Sequence, residues 1–414
     1  MKVSIMKHVS TTMLIAVTTT KGIFVQSYIA RNLVYKNIFE KRAWKSCLHI
    51  HSYDNTLPKE QNPNTNDEHS PPSPRKGVCF VMPENIEHRN IANEIASKLG
   101  IPILVDEIGI HDSVETEDVE TYKNCLHILP YKYLSLESYA ISIQPINDKK
   151  LKSNRKGRTK KSSVMQPFFI DFCPPSTSKL GQRLGKQNQK GSESLLKAVS
   201  PFKLGDDGNG AIVFDFNAGF GQDSIIMALG GARKVHMVER DPIVGLLLAD
   251  AMRRLELISC LEVDKDDIQN VHESEILRAR DLFQKLSLYQ YDSIEFAKSV
   301  RLHQLDVQDT LKGIARPDVC YLDPMFPPRT KSSAVKKNMQ ILHGLFKHDE
   351  MKGDRIEEEK KLLKEALMLA SKRVVVKRPA AALPLGFEKD VDTDIKLPSY
   401  SLKGSVNRFD VYII

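Results

Sequence analysis

The sequence predicts an α/β protein built on a doubly wound, Rossmann-like sheet, and three stretches predict it. Residues 211–223 (Ala-Ile-Val-Phe-Asp-Phe-Asn-Ala-Gly-Phe-Gly-Gln-Asp) read as an apolar strand running into an acid, Asp215, and a loop with Gly219 and Gly221. A helical segment, 224–230, comes next, followed by the strand Lys234-Val-His-Met-Val-Glu239. Farther on, Asp318-Val-Cys-Tyr-Leu322 is a buried strand that ends in Asp323-Pro-Met-Phe326. Short apolar runs bounded by glycine and proline are the pattern of strands buried on both faces.

The elements before this core are of a different kind. Positions 1–45 hold Lys2, Lys7, Lys21, Arg31, Lys36, Lys41, Arg42 and Lys45 against a single acid, Glu40. That composition fits a mitochondrial transit peptide or an unstructured start, so the expected location is mitochondrial or cytoplasmic. Residues 52–76, rich in proline and polar residues, read as a flexible linker, and 1–76 as an N-terminal extension. From Gly77 the pattern turns globular, with strands at 78–82, 103–105, 125–129 and 139–143 and a helix at 90–99. These make a small α/β domain, 77–146, which either helps to grip a substrate or shields the main sheet. A basic linker, 147–164, contains Lys149-Lys-Leu-Lys-Ser-Asn-Arg-Lys-Gly-Arg-Thr-Lys-Lys161, a run suited to phosphates but blind to base sequence. The main domain occupies 165–414.

Within that domain Gly219 and Gly221 let the backbone pass close to a ligand, and the helix start, with Asp223 or Ser224 near its cap, presents N–H groups. Glu239 ends the next strand about twenty residues on, where doubly wound folds place the carboxylate that holds ribose hydroxyls. NAD and S-adenosylmethionine (SAM) fit this pattern equally. Asp323-Pro-Met-Phe326 favours SAM: the carboxylate accepts from an exocyclic amino group, Phe326 stacks on the ring, and Pro324, Pro327 and Pro328 stiffen the segment. Residues 262–299 read as charged helices of a surface insertion before a strand at 302–306. Val374–Val376 and 409–414 supply the last strands, the final one at the sheet edge.

Taken together, Tyr321-Leu-Asp-Pro-Met-Phe-Pro327, Lys331-Ser-Ser-Ala-Val-Lys-Lys337, Asp215 to Asp223, Val238-Glu-Arg-Asp-Pro-Ile-Val244, Lys372-Arg-Val-Val-Val-Lys-Arg-Pro379 and Arg408-Phe-Asp-Val-Tyr412 resemble the bacterial small-subunit (16S) rRNA guanine-N2 methyltransferases. The likeness runs in order over about residues 165–414 and includes Phe169-Ile-Asp-Phe172 and Leu196-Lys-Ala-Val199. It implies a class I methyltransferase fold with a mostly parallel seven-stranded sheet, SAM as cofactor, and rRNA or the small ribosomal subunit as partner. It places cofactor contacts on Gln222, Asp223, Glu239, Arg240, Leu305, Asp306 and Asp323, beside Asp215 and the two glycines. The chain departs from the family at Asn217 and Gln222, where Thr and Arg are usual, and at Leu305, where a small hydroxyl residue is usual.

The chemistry follows from the residues. An exocyclic guanine nitrogen is a poor nucleophile because its lone pair is delocalised into the ring. Asp323 and the Pro324 carbonyl accept its two N–H bonds and aim it at the methyl carbon, with Phe326 stacking on a flipped or unpaired base. Lys331, Lys336 and Lys337 are placed to meet target phosphates. No metal is needed. Other readings are an amino methyltransferase for adenine N6 or a tRNA guanine, or a silent rRNA-binding assembly factor that keeps the fold.

Composition limits the rest. A formal charge of +8 over 414 residues suits a polyanionic partner. The six cysteines (47, 79, 125, 173, 260, 320) show no Cys-x-x-Cys, which argues against a disulfide framework or a zinc site and for a reducing compartment. No apolar run is long enough to cross a membrane.

Overall fold

The computed structural model describes residues 77–104, 122–146, 166–175, 177–185, 193–201, 203–204, 209–262, 270–303, 314–324, 341, 345, 352–385, 387, 395–404 and 407–414. The leader-like segment, the linker 52–76, the basic run 149–161, and Leu305, Asp306, Phe326, Lys331, Lys336 and Lys337 lie outside the described residues.

The first sheet is formed by β1 (Val78–Val81), β2 (Ile103–Leu104), β3 (Asn124–Tyr133) and β4 (Leu136–Pro145), in the order β2-β1-β3-β4. Helix α1 (Ile86–Leu99) connects β1 to β2. It starts four residues before the predicted Asn90, because the Asn85 side chain accepts from the Glu87 N–H and caps it. The apolar pattern alone misses that first turn, whose Ile86 is exposed.

The second sheet follows α2 (Lys179–Gly185) and α3 (Ser194–Val199). In chain order come β5 (Ile212–Asp215), α4 (Gln222–Leu229), β6 (Lys234–Glu239), α5 (Pro242–Ser259), α6 (Asn270–Lys285), β7 (Leu286–Gln290), α7 (Ser293–His303), β8 (Val319–Leu322), α8 (Lys352–Leu369), β9 (Arg373–Pro379), β10 (Tyr400–Lys403) and β11 (Asn407–Ile413). The spatial order is β10-β11-β9-β8-β5-β6-β7, with β11 antiparallel to both neighbours and all other pairs parallel. This is the class I methyltransferase sheet. The central strands β5 and β8 are buried at every position, which explains why they read as unbroken apolar runs.

Side chains alternate across the sheet. Ile212, Phe214, Cys320, Leu322, Val374 and Val376 join Phe296 of α7 and Leu363 and Ala366 of α8 in one core. Asp215, Tyr321 and Val375 are register partners on adjacent strands and belong to the opposite face. Continuing that register sets Asp323, just past β8, beside Lys377 of β9.

A buried charge cluster ties the two sheets. Asp250 of α5 accepts from Arg253 and Arg254 at 2.8 and 3.0 Å, and from the Ile141 N–H of β4 at 2.9 Å. Arg253 also donates to the Tyr139 carbonyl at 2.5 Å, and Arg254 to the Ile170 carbonyl.

Four expectations are corrected. Part of 262–299 is not an insertion: Leu286–Gln290 is β7, paired in parallel with β6 along its length. Its edge position and mostly half-buried residues hide it among charged helices. Leu302 and His303, expected in a strand, end helix α7. The last strand, β11, lies inside the sheet, and the edge is the unpredicted β10. Finally, the N-cap of α4 is Gly221, with φ 69° and no side-chain cap bond, so neither Asp223 nor Ser224 caps the helix.

Candidate active site at the β5–β8 crevice

Connections leave β5 toward β6 on one side, while β8 and β9 lie on the other. The carboxyl ends of β5 and β8 therefore flank the crevice where open α/β sheets bind ligands. Asp215 ends β5, Glu239 ends β6, Asp323 follows β8, and the loop 216–221 leads to α4.

The loop is built on its glycines. Gly219 (φ 52°) and Gly221 (φ 69°) both take left-handed conformations. A methyl on Gly221 would meet Phe172 at 3.0 Å and Leu248 at 3.1 Å, whereas one on Gly219 would meet nothing nearer than the Asn217 carbonyl at 3.9 Å. Open space therefore lies beside Gly219 only. Its N–H donates to Glu239 Oε2 at 2.9 Å, and the Asp241 N–H donates to Oε1 at 2.9 Å, so Glu239 is held from both sides. Burial pushes the Glu239 carboxyl up to about 7, with the Asp241 charge adding and the two N–H donors opposing. Asp215, also driven by burial up to about 7, accepts the Ser224 hydroxyl on Oδ2. Its Oδ1 has no partner, and neither does the buried Asn217 Oδ1.

Asp223 and Asp323 share one cation. Lys377 Nζ donates to Asp223 Oδ2 and to Asp323 Oδ2, each at 2.7 Å. The Tyr321 hydroxyl donates to Asp223 Oδ2 at 2.8 Å, and Arg183 of α2 stands 3.8 Å from Oδ1. Burial would raise both carboxyls. At Asp223 the Lys377 ammonium, helped by Tyr321 and Arg183, outweighs burial and holds it below its ordinary range. At Asp323 burial prevails over Lys377, helped by the charge of Asp223, and the carboxyl is raised. Lys377 in turn is raised despite burial, because it faces two acids. The result is one firmly ionised acid and one with residual proton affinity, whose side chain is 30% exposed.

The sequence profile of the SAM-dependent methyltransferase family matches residues 137–288 and 288–414. Ribosomal RNA small subunit methyltransferase J from Thioalkalivibrio sulfidiphilus is 32% identical over 252 residues, covering 60% of this chain and 76% of that protein. The chain belongs to this family. Its member from Legionella pneumophila (strain Paris) is 35% identical over 246 residues, covering 59% and 76%, and that from Nitrosococcus oceani is 26% identical over 338 residues, covering 81% and 98%. Among solved structures, a SAM-dependent methyltransferase from Neisseria gonorrhoeae matches with 21% identity and a TM-score of 0.44, over 81% of this chain and 95% of that one.

As a member of this family the protein is a SAM-dependent methyltransferase, and its residues fit the cofactor. The unpartnered acceptors of Asp215 and Asn217 suit the ammonium and hydroxyl donors of SAM. Glu239 offers a fixed carboxylate at the end of β6, where doubly wound folds hold ribose hydroxyls, and space is left beside Gly219. Of the predicted residues, Asp215, Gly219, Gly221, Asp223, Glu239 and Asp323 gather around the crevice. Gln222 opens α4. Arg240 instead points to an exposed pair with Glu358 at 3.2 Å.

Lys377, Tyr321 and Ser224 were not singled out as site residues. A lysine closing a Val-Val-Val run, on the face of Asp215 and Tyr321, was the available signal. The position that follows the strand beside β6 is also not 305–306: β7 ends at Gln290 and leads to Asp292 and Ser293, which open α7.

Proposed function

We propose that the protein methylates the exocyclic N2 of a guanine in small-subunit rRNA. The family relatives are named for small-subunit rRNA. The observation that carries the finer reading is the placement of Asp323 and Pro324 at the end of β8, linked through Lys377 to Asp223 at the start of α4.

When bound, SAM supplies an electrophilic methyl group on a sulfonium. Asp323 and the Pro324 carbonyl accept the two N–H bonds of the amino group and turn its lone pair toward that methyl. As the new N–C bond forms, the S–C bond breaks and the amino nitrogen becomes positive. Asp323, raised by burial, then takes the surplus proton or passes it to water. Lys377 keeps Asp323 in place and limits its proton affinity, so that it is an ionised acceptor before transfer. Glu239 holds the ribose, Asp292 lies where the adenine edge is expected beyond β7, and Phe326, Lys331, Lys336 and Lys337 hold base and phosphates.

The test is methyl transfer from isotope-labelled SAM to small ribosomal subunits that lack the modification, with nucleoside analysis by mass spectrometry. N2-methylguanosine that disappears with Asp323→Ala supports the proposal. N6-methyladenosine, or methyl groups on tRNA alone, would replace the substrate. Tight rRNA binding without any transfer would point to a silent assembly factor.

A further inference from the structure

A cavity of about 480 Å³ opens where the β3–β4 hairpin, the segment 169–175 and α6 meet. Its volume lies within the ~300–1,000 Å³ range of small-molecule sites, and none of the residues assigned to methyl transfer lines it. The segment beside it alternates: Phe169, Asp171 and Cys173 line the cavity, while Phe168 packs on Phe220 (4.7 Å between ring centres) and Phe172 lies against Gly221. One short stretch of chain thus has the cavity on one side and the cofactor loop on the other.

The walls are aromatic, made by Tyr131, Tyr133 and Phe169. The charged groups are the carboxylates of Asp171 and Glu275 and the Lys132 ammonium, which pairs with Glu137 at 3.4 Å. Asp171 Oδ1 takes the Cys173 N–H at 2.9 Å and Glu275 Oε2 takes the Tyr133 hydroxyl at 3.2 Å, and the second oxygen of each carboxylate accepts no hydrogen bond among the described residues. Tyr131 lines the cavity and is 7% exposed; the Arg254 guanidinium lies 4.7 Å over its ring, and its buried hydroxyl has no hydrogen-bond partner among the described residues. A buried hydroxyl without a partner is costly, and its presence points to a ligand atom that would satisfy it.

With the Lys132 ammonium drawn to Glu137, the two carboxylates offer acceptors that suit the N–H donors of a base better than a phosphate. Guanine presents N1–H and its amino group as neighbouring donors for a carboxylate, and O6 as an acceptor for the Tyr131 hydroxyl. Its ring stacks on aromatic walls, as unpaired bases do. We propose that this cavity binds a second, unpaired guanine-type base of the RNA strand that carries the methylated one. Burial raises the Asp171 carboxyl, a cost that two such donors would relieve. The inference rests on the RNA-methyltransferase reading, and it gives the N-terminal sheet a share in substrate choice.

The test uses guanosine as probe, titrated calorimetrically into the full chain saturated with S-adenosylhomocysteine, beside adenosine and cytidine. Asp323→Ala, which removes the acceptor at the methylation site, should still bind guanosine. Glu275→Gln, Asp171→Asn and Tyr131→Phe should each weaken that binding by ~10-fold or more, the scale of one charge-assisted hydrogen bond or somewhat less. With small ribosomal subunits the same variants should raise KM and leave kcat unchanged. Tyr131→Phe deletes only an unpartnered hydroxyl, so it should keep the wild-type melting temperature and remain informative if the acid variants unfold. Loss of guanosine binding in Asp323→Ala, or wild-type affinity in all three cavity variants, would overturn the proposal. Binding that prefers a ribosomal protein segment over any nucleoside would overturn it too. If rRNA is not the substrate, no methyl transfer is seen while guanosine titration still reads the cavity, so the two failures are separable.

Discussion

Lys377 of β9 donates to Asp323 beyond the end of β8 at 2.7 Å, and the same ammonium reaches Asp223 at the same distance. A single cation thus fastens the residue that would orient the base to the first turn of the helix behind the cofactor loop. Replacing Lys377 by Met leaves Asp323 without its counter-charge and Asp223 with only the more distant Arg183, 3.8 Å away. The carboxylates of Asp223 and Asp323 keep 15% and 30% side-chain exposure, so solvent screens part of the loss, and stability should fall by only ~1–2 kcal/mol. The effect on kcat/KM should be larger, ~10–100-fold, because a charge-assisted hydrogen bond that positions the acceptor is gone. With Lys377 absent Asp323 binds its proton more tightly, so the acid limb of the pH–rate profile moves to higher pH. An unmoved limb in Lys377→Met would show that Lys377 does not govern Asp323.

Burial lifts Asp215 and Glu239 to about 7 in the folded protein, against about 4 for such groups in an unfolded chain. The folded state then holds more protons than the unfolded state between these values. Stability is fully present below about pH 4 and declines as pH rises toward 7, by up to ~1.4 kcal/mol per pH unit for each group. The melting temperature of the ligand-free protein should therefore fall from about pH 5 to about pH 7.5, with a flatter slope in Glu239→Gln. SAM affinity should move the other way, tightening over the same range, if an ionised Glu239 accepts the ribose hydroxyls. Calorimetry in buffers of different ionisation enthalpy would detect the accompanying proton release. Binding that is independent of pH and releases no proton would remove Glu239 from the ribose role.

Much of this site was legible in the sequence because central parallel strands announce themselves. Ile212–Asp215, Lys234–Glu239 and Val319–Leu322 are buried almost throughout, so their apolar runs and terminal acids stand out without any tertiary knowledge. Edge strands do not have that advantage. Tyr400–Lys403 is mostly exposed and has little apolar signal, and Leu286–Gln290 pairs with a strand on one side only and is fully buried at Leu286 alone. Lys377 was hidden for another reason. Its role depends on the register of β9 against β8, which sets Val375 opposite Tyr321 and carries Lys377 to Asp323. Local pattern contains no such pairing. The cap of α4 was misjudged because Asp and Ser are good capping residues in general, but here Ser224 is bound to Asp215 and Asp223 to Lys377 and Tyr321.

The two glycines of the cofactor loop should respond differently to the same substitution. Gly221→Ala adds left-handed strain of ~1–2 kcal/mol to contacts with Phe172 and Leu248 near 3 Å, which add ~1–3 kcal/mol of overpacking. Its main effect is a lower melting temperature. Gly219→Ala carries the strain without the crowding, since its nearest neighbour would be 3.9 Å away. Its methyl instead enters the space beside the loop, so SAM affinity should drop by more than stability does. Chemical denaturation and SAM titration of both variants would check the ordering. Equal losses of SAM affinity at matched stability would mean that the space beside Gly219 is not used by the cofactor.

Asp250→Ala should be the most destabilising of the single changes considered. It strips the counter-charge from Arg253 and Arg254, whose side chains are 0% and 2% exposed, and leaves the Ile141 N–H of β4 without its acceptor. Breaking a buried pair from one side costs ~3–5 kcal/mol, because the remaining charge cannot return to water. The Arg253 and Arg254 bonds to the Tyr139 and Ile170 carbonyls join β4 and the 168–173 segment to α5, so their loosening should expose the first sheet before the second. Limited proteolysis should then cut within 77–146 while 209–414 stays protected, and hydrogen exchange should speed up in β3 and β4 first. Uniform loss of protection across both sheets would mean instead that the two unfold as one cooperative unit.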